Sequence, residues 1–228
     1  MTDYMSLMRS RHSVRRYLDK PIPADLREKL DAYAADLNRK SGLSIQIIYD
    51  EPECFGSARA KYGSFEGCSN YICLVGKSRE RDLDERCGYY GEMLVLRAQE
   101  LGLNTCWVAL THGKTKAAVA KGEKEVIVVS LGYGADGGRP RKSKSPGDVC
   151  RDDGELPVWY SRGIEAALLA PTAINQQKFR FSRAGNRVSL EPGKLGPCLL
   201  IDLGIVRLHF ELGAGRENFV WENRADLS

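Results

Sequence analysis

The chain has 228 residues, 43% of them apolar and 28% charged, with a formal net charge of +4. It is long enough to bury a core as one large domain or two small ones, and its charge is too small for a surface built to wrap nucleic acid. No apolar run reaches bilayer length. The N-terminus has Asp3 and then arginines where a secretory leader needs an apolar stretch, and seven cysteines without a Cys-x-x-Cys pair argue against a disulfide framework or zinc ribbon and for free thiols in the cytoplasm.

Tyr4, Met5, Leu7 and Met8 share one face of a short helix that ends in the first arginines. Pro21-Ile22-Pro23 breaks the chain. Asp25 with Glu28 reads as a capping box opening a helix in which Leu26, Leu30, Tyr33, Ala34 and Leu37 recur at helical spacing. Residues 44–48 alternate weakly as a strand, and Tyr71-Ile72-Cys73-Leu74-Val75 is apolar enough for a central strand. Residues 91–101 form the longest helix, apolar over much of its circumference and stopped by Gly102. Extended pieces follow at 105–108 and 126–131. A loop rich in Gly, Pro, Lys and Arg over 135–153 places a subdomain boundary. Beyond it come a helix at 159–169 and a hairpin of 179–182 with 187–190 around Ala184-Gly185-Asn186. A strand at 199–201, a helix at 205–212 and a closing strand at 219–221 complete the reading.

Three stretches concentrate polar chemistry. Residues 9–17 pack four arginines, one histidine and two serines, and guanidinium forks and hydroxyls bind a phosphate well. Arg139-Pro140-Arg141-Lys142-Ser143-Lys144-Ser145-Pro146 is a second basic stretch suited to the same anion. Ala170-Pro171-Thr172-Ala173-Ile174-Asn175-Gln176-Gln177 supplies small residues, a hydroxyl and amides. Together they read as one cofactor site. The competing reading makes them a solvated helix end, an exposed loop and a set of cap and turn residues. His112 and His209 stand alone without ligand spacing and imply no metal. Gly132-Tyr133-Gly134 and Gly213-Ala214-Gly215 are too sparse for a dinucleotide loop. Cys106 reads as a buried structural thiol.

Arg11-His12-Ser13, followed by Val14, a basic residue and Tyr17, resembles the opening of the FMN-dependent nitroreductase family. The resemblance implies that Arg9, Arg11, His12 and Ser13 lie at the flavin phosphate. Lys142-Ser143-Lys144-Ser145-Pro146 resembles the family's closing phosphate segment, which implies the same for Lys142 and Lys144. Residues 171–177 resemble the loop that meets the isoalloxazine, implying contacts from Pro171, Thr172, Ala173, Asn175 and Gln177. Residues 88–108 resemble the long interface helix and the Trp-containing turn after it, placing Trp107, Val108 and Ala109 near flavin N5. Lys61 stands at about the position of the donor to N1 and O2, and Tyr62 and Gly63 after it are implied at the cofactor. Two departures are visible: Lys178-Phe179 replaces the frequent Pro-Trp, and Lys144 replaces the commoner Arg.

In ordinary members the ring-covering loop comes soon after the opening arginines, whereas here it follows the closing basic segment. That order resembles a branch in which one chain holds two copies of the fold. The fold implied is α+β, nitroreductase-like, with two α/β subdomains, 1–148 and 149–228, forming an intramolecular pseudo-dimer. Copy one keeps the phosphate grip, and copy two keeps the covering loop. The copies echo each other faintly: Leu30-Asp31-Ala32 resembles Ile164-Glu165-Ala166, and Glu100-Leu101-Gly102 recurs as Glu211-Leu212-Gly213.

The resemblance implies one FMN per chain at the seam between the copies. It also implies NAD(P)H as hydride donor and a small electrophilic acceptor, such as a nitroaromatic or quinone, in ping-pong order. No acid–base residue is demanded, because the hydride moves through flavin N5. No nucleic acid or membrane partner is implied, and the chain is a monomer (pseudo-dimer) or a homodimer. Two other classes compete: an FMN store or sensor without turnover, and a module binding phosphate or nucleic acid through the basic stretches.

Overall fold

The computed structural model describes residues 3–151 and 154–222. The apolar runs become strands. β1 (Ser44–Ile48), β2 (Asn70–Lys77), β3 (Asn104–Val108) and β4 (Glu123–Gly132) form one sheet in the order β1-β2-β4-β3, antiparallel throughout. Tyr71 to Val75 are wholly buried in β2, a strand flanked on both sides, as an unbroken apolar run demands. A second sheet comes from β5 (Phe179–Ala184) and β6 (Arg187–Pro192), an antiparallel hairpin turning at Gly185 (φ 64°). The short β7 (Val220–Trp221) pairs parallel to β6. With the helices the fold is α+β.

The first helix, α1, is Tyr4–Ser10, and Met8 is its buried anchor. Leu30, Ala34 and Leu37 make the buried stripe of α2 (Ala24–Ser41). Its N-cap is Pro23, without a side-chain cap bond, so the expected Asp25–Glu28 capping box does not form. Proline's fixed φ starts this helix instead. Two short helices follow, α3 (Glu53–Gly56) and α4 (Ala58–Tyr62).

Two further helices depart from expectation. The long helix α5 is Leu83–Glu100, beginning well before residue 91. After the short α6 (Pro146–Val149) and α7 (Val158–Leu168), a single helix α8 (Leu199–Ala214) replaces the expected strand and helix at 199–212. Nearly all of α8 is buried. A helix buried all round has no polar face to betray its period, so a short apolar run from it reads like a strand. Gly88 hides the start of α5. A methyl at Gly88 would lie 2.0 Å from the Ile201 carbonyl oxygen, and one at Gly204 would lie 2.0 Å from the Glu85 carbonyl oxygen. Each glycine thus meets backbone three residues before the other, so α5 and α8 cross where neither can carry a Cβ.

By contacts the described chain divides into two units interleaved in sequence: 3–10, 84–92, 141–151 and 154–222 in one, 11–83 and 93–140 in the other. The halves of α5 belong to different units. These units follow packing and differ from the expected subdomain ranges 1–148 and 149–228. The boundary loop at 135–153 is described except for Asp152 and Asp153, which lie outside the described residues, as do residues 223–228.

The unit holding the four-stranded sheet has a core of Val14, Tyr17, Phe55, Phe65, Tyr71, Val108 and Val128 with four cysteines. The other unit centres on Phe210, whose ring stacks on Phe181 at 4.7 Å between centroids and meets Phe219 edge-on at 5.1 Å. Buried Glu211 there accepts from Tyr89 (2.6 Å), Arg207 (3.0 Å), Arg216 (2.9 Å) and Trp221 (2.7 Å). His209 bridges Glu92 (2.9 Å) and the Ala166 carbonyl (3.1 Å). All seven cysteines are free. No helix among the described residues is long and apolar enough to cross a membrane.

Candidate functional site

Two of the three polar stretches meet in the unit containing α7 and α8. The loop from Pro171 leaves the end of α7, and its backbone is unusual. Ile174 (φ 48°), Asn175 (φ 55°) and Gln177 (φ 45°) are all left-handed without being glycine. That conformation is costly, most of all for a β-branched residue, and persists only where the surroundings impose it. Asp202 of α8 imposes part of it. The Ala173 N–H lies 2.9 and 3.2 Å from its two oxygens, and Gln176 Nε2 donates to it at 2.7 Å. The Gln177 N–H also donates to the Thr172 hydroxyl at 3.0 Å. Burial pushes the Asp202 carboxyl up to about 6, against the opposing pull of Gln176 and the Ala173 N–H. The loop thereby holds Ile174 outward, 84% exposed.

The second basic stretch is laid against this loop. Arg141 donates to the Ala170 carbonyl at 2.8 Å and the Leu168 carbonyl at 2.7 Å, closing the C-terminal end of α7 with a cation. The Ser143 hydroxyl joins at Leu168 (3.2 Å). Lys144 donates through its backbone to Gln177 Oε1 (2.9 Å) and through Nζ to the Gln177 carbonyl (2.7 Å). Asn175 Nδ2 and Gln177 Nε2 both donate to the Lys142 carbonyl, at 2.8 and 3.0 Å. These amides, expected at a ring or ribityl chain, here join the loop to the basic segment. Lys142 itself is exposed. Arg9, at the end of α1, pairs with Glu165 of α7, both exposed.

Arg11, His12 and Ser13 belong to the other unit. Arg11 is only 4% exposed, a buried cation of the kind that suits an anionic ligand. Ser13 bridges to Thr105 of β3, and the Val14 N–H donates to the Thr105 carbonyl at 3.1 Å. The Cys106 thiol is pushed up by burial, although Arg15, the Ser13 hydroxyl and Arg11 pull it down. It stays protonated and structural. Gly138 (φ 74°) would put a methyl 2.7 Å from His12 Cβ, so only glycine lets the loop after β4 lie along this segment.

The remaining expected site residues lie in the same unit as Arg11. Trp107 and Val108 end β3, half-buried and buried, and Ala109 follows as an exposed residue. Lys61 and Tyr62 end α4, both exposed. A methyl at Gly63 would lie 2.5 Å from Thr111 Cβ, so the end of α4 abuts the turn after β3. The structure therefore gathers the expected residues into two sets. One is Lys142, Lys144 and the 171–177 loop, with Arg9 on the same unit. The other is 11–13, 61–63 and 107–109.

Sequence reasoning missed Asp202, Gln176, Arg141 and Ser143, which build the loop's support. A lone carboxylate in the apolar run 199–206 was the one signal available for Asp202. Each set by itself fits part of a phosphorylated, planar cofactor such as FMN: the set around Arg11 offers a buried guanidinium and a hydroxyl for an anion, and the other offers two ammonium groups and a preset loop of small and amide side chains for a ring.

The chain resembles known proteins in sequence and in fold. A family described as "Putative TM nitroreductase" matches residues 3–214. A "putative nitroreductase" structure from Thermotoga maritima MSB8 is 21% identical with a TM-score of 0.69, over 95% of this chain and 85% of that one. A nitroreductase-like protein from Streptococcus mutans aligns at 14% identity and TM-score 0.52, over 68% of this chain and 98% of its own. A "putative NADH dehydrogenase/NAD(P)H nitroreductase" from Parabacteroides distasonis aligns at 18% and 0.51, over 68% and 100%. No curated protein matches. The family model spans both polar sets and almost all of the described chain, and the protein belongs to that nitroreductase family, with its nitroreductase-like α+β fold.

Proposed function

We propose that this protein is an FMN-dependent oxidoreductase that takes a hydride from NADH or NADPH and delivers it to a small electrophile such as a nitroaromatic or quinone. The observation that carries the reading is the union of two distant segments: residues 141–144 and the strained 171–177 loop are bonded together through Lys142, Lys144, Asn175 and Gln177. Such strain is expected where a ligand is to be met. The family and the NAD(P)H named for the Parabacteroides neighbour point the same way.

FMN would supply the redox chemistry, accepting and donating hydride at N5. The protein's part is positioning. Arg11, Ser13, Lys142 and Lys144, with Arg9 and His12 beside them in sequence, would neutralise the phosphate. Lys61, with Tyr62 and Gly63 after it, would supply a donor for negative charge at N1 and O2. Pro171, Thr172, Ala173, Asn175 and Gln177 would lie along the ring, and Trp107, Val108 and Ala109 near its reacting edge. Asp202 acts through the loop by fixing Ala173 and Gln176. No side chain is assigned a proton transfer.

We read the chain as two copies of one fold. The reciprocal Gly88 and Gly204 contacts support this, because each copy would supply the equivalent glycine of a two-fold crossing. The seven free cysteines fit a cytoplasmic protein.

The test is the visible spectrum of the purified protein, before and after anaerobic NADH or NADPH. A flavin band bleached by either nucleotide is expected. A yellow protein bleached by neither would be a flavin-binding module, and a colourless one that refuses added FMN would end the proposal.

A further inference from the structure

A groove of about 460 Å³ opens beside Ala109, between the start of α4 and the turn after β3. Arg59, His112 and Lys114 line it together with Leu110, and no carboxylate is among its described lining residues. The walls are pinned. The Gly113 N–H donates to the Cys54 carbonyl at 2.7 Å, and a methyl at Gly113 would lie 2.9 Å from that same oxygen. The Ser57 hydroxyl also donates to Cys54 (3.1 Å) and, as N-cap of α4, accepts from the Ala60 N–H (3.2 Å). His112 Nδ1 sits 2.8 Å from the Gly113 carbonyl. That contact places its proton on Nδ1 and leaves Nε2 as the other polar atom. Leu110, 81% exposed, adds unshielded apolar surface to the same groove.

We infer that this groove binds the phosphate monoester that distinguishes NADPH from NADH, so that the protein is selective for NADPH. The inference rests on the proposed FMN reading, which sets Ala109 near the reacting edge of the ring. Arg59 supplies a planar fork for two phosphate oxygens and Lys114 a point charge. His112 adds a third positive group when protonated. Leu110 offers the adenosine an apolar surface. NADH would leave the basic groove without its anion and gain nothing from it.

The experiment has two arms on the FMN-loaded protein. In the first, adenosine 2′,5′-bisphosphate is titrated calorimetrically into the wild type and into the Arg59→Gln/Lys114→Gln double variant, with inorganic phosphate as competitor. Binding by the wild type, weakened about tenfold or more in the variant, is expected. Absence of nucleotide binding, or binding of phosphate alone, overturns the inference. In the second arm, KM for NADPH should rise about tenfold in the variant, with kcat and the NADH-driven rate unchanged. Equal changes for both nucleotides, or wild-type preference for NADH, also overturn it. Both substitutions are at exposed positions, and unchanged FMN content and circular dichroism verify the fold. The binding arm does not require turnover. A protein that binds the bisphosphate but is reduced by neither nucleotide would refute the enzymatic reading while retaining the anion groove.

Discussion

The chain passes from helix to strand twice in comparable settings, and the two passages differ sharply. Between α2 and β1 the link is Gly42-Leu43. Gly42 takes the left-handed cap (φ 69°) and donates to the Asn38 carbonyl at 2.9 Å. Asn38 then clamps Ile45 from both sides, at 2.7 and 2.9 Å. Between α7 and β5 the link runs over 169–178, carries three left-handed residues that are not glycine, and is held by Asp202 and by the 141–144 segment. The first passage uses the conformation a fold needs. The second holds three left-handed non-glycine residues with bonds from two other segments, which is the feature that supports the proposed flavin contact.

The same contrast extends beyond the links. In one half β2 leads through α5 to β3, with β4 inserted between β2 and β3 in the sheet. In the other, β6 leads through α8 to β7, which pairs directly and in parallel with β6. Under the proposed two-copy reading, the second series would be the first with a strand removed: a shortened copy keeping its loop and a fuller copy keeping the arginine segment.

The sharpest break of this comparison lies at the helix crossing. Gly88→Ala and Gly204→Ala each force a methyl against backbone that cannot rotate away. Each should cost about 3 kcal/mol or more, or prevent folding, and chemical denaturation should find the two costs alike. Unequal costs, with one substitution tolerated, would argue against an equivalent pair. Arg11→Ala should lower FMN affinity about 10- to 100-fold by removing a charge-assisted partner, as read by fluorescence titration. Unchanged affinity would remove Arg11 from the phosphate.

Next in size are the two link anchors. Asp202→Ala should lose about 1–3 kcal/mol by stranding buried donors and also weaken FMN retention or alter the flavin spectrum. Asn38→Ala should lose a similar amount of stability and leave the flavin untouched. Identical flavin effects from both would erase the contrast between the links. The last effect concerns pH. The folded Asp202 carboxyl titrates at about 6, above its ordinary 3.8, because burial favours the protonated form. Its contribution to stability is therefore full below about pH 4 and lost as pH rises through about 6. It amounts to at most on the order of 3 kcal/mol. Asp202→Asn should flatten that part of the stability profile, and a profile of unchanged shape would contradict the assignment.

Much of the fold was readable: β1, half-buried at the sheet edge, matches the span expected from its weak alternation, and the buried apolar runs of β2 and β4 extend theirs by one to three residues at each end. The helices were readable where one face stays wet, as in α2 and α7. Reading failed at α8, where near-total burial erases periodicity, and at the start of α5, which begins at Leu83, before the expected residue 91. The meeting of the 141–144 segment with the 171–177 loop was legible from residue chemistry. The means was not: Arg141 and Asp202 act through carbonyls and amides that only the folded path brings near, and Asn175 and Gln177 spend their donors on Lys142.

The most direct measurement is a titration of FMN into the flavin-free protein, followed by anaerobic addition of NADPH. The account predicts saturation at one FMN per chain and complete bleaching of the bound flavin. One FMN per two chains would contradict the division of labour within a single chain, and a bound flavin that no nicotinamide reduces would contradict the proposed activity.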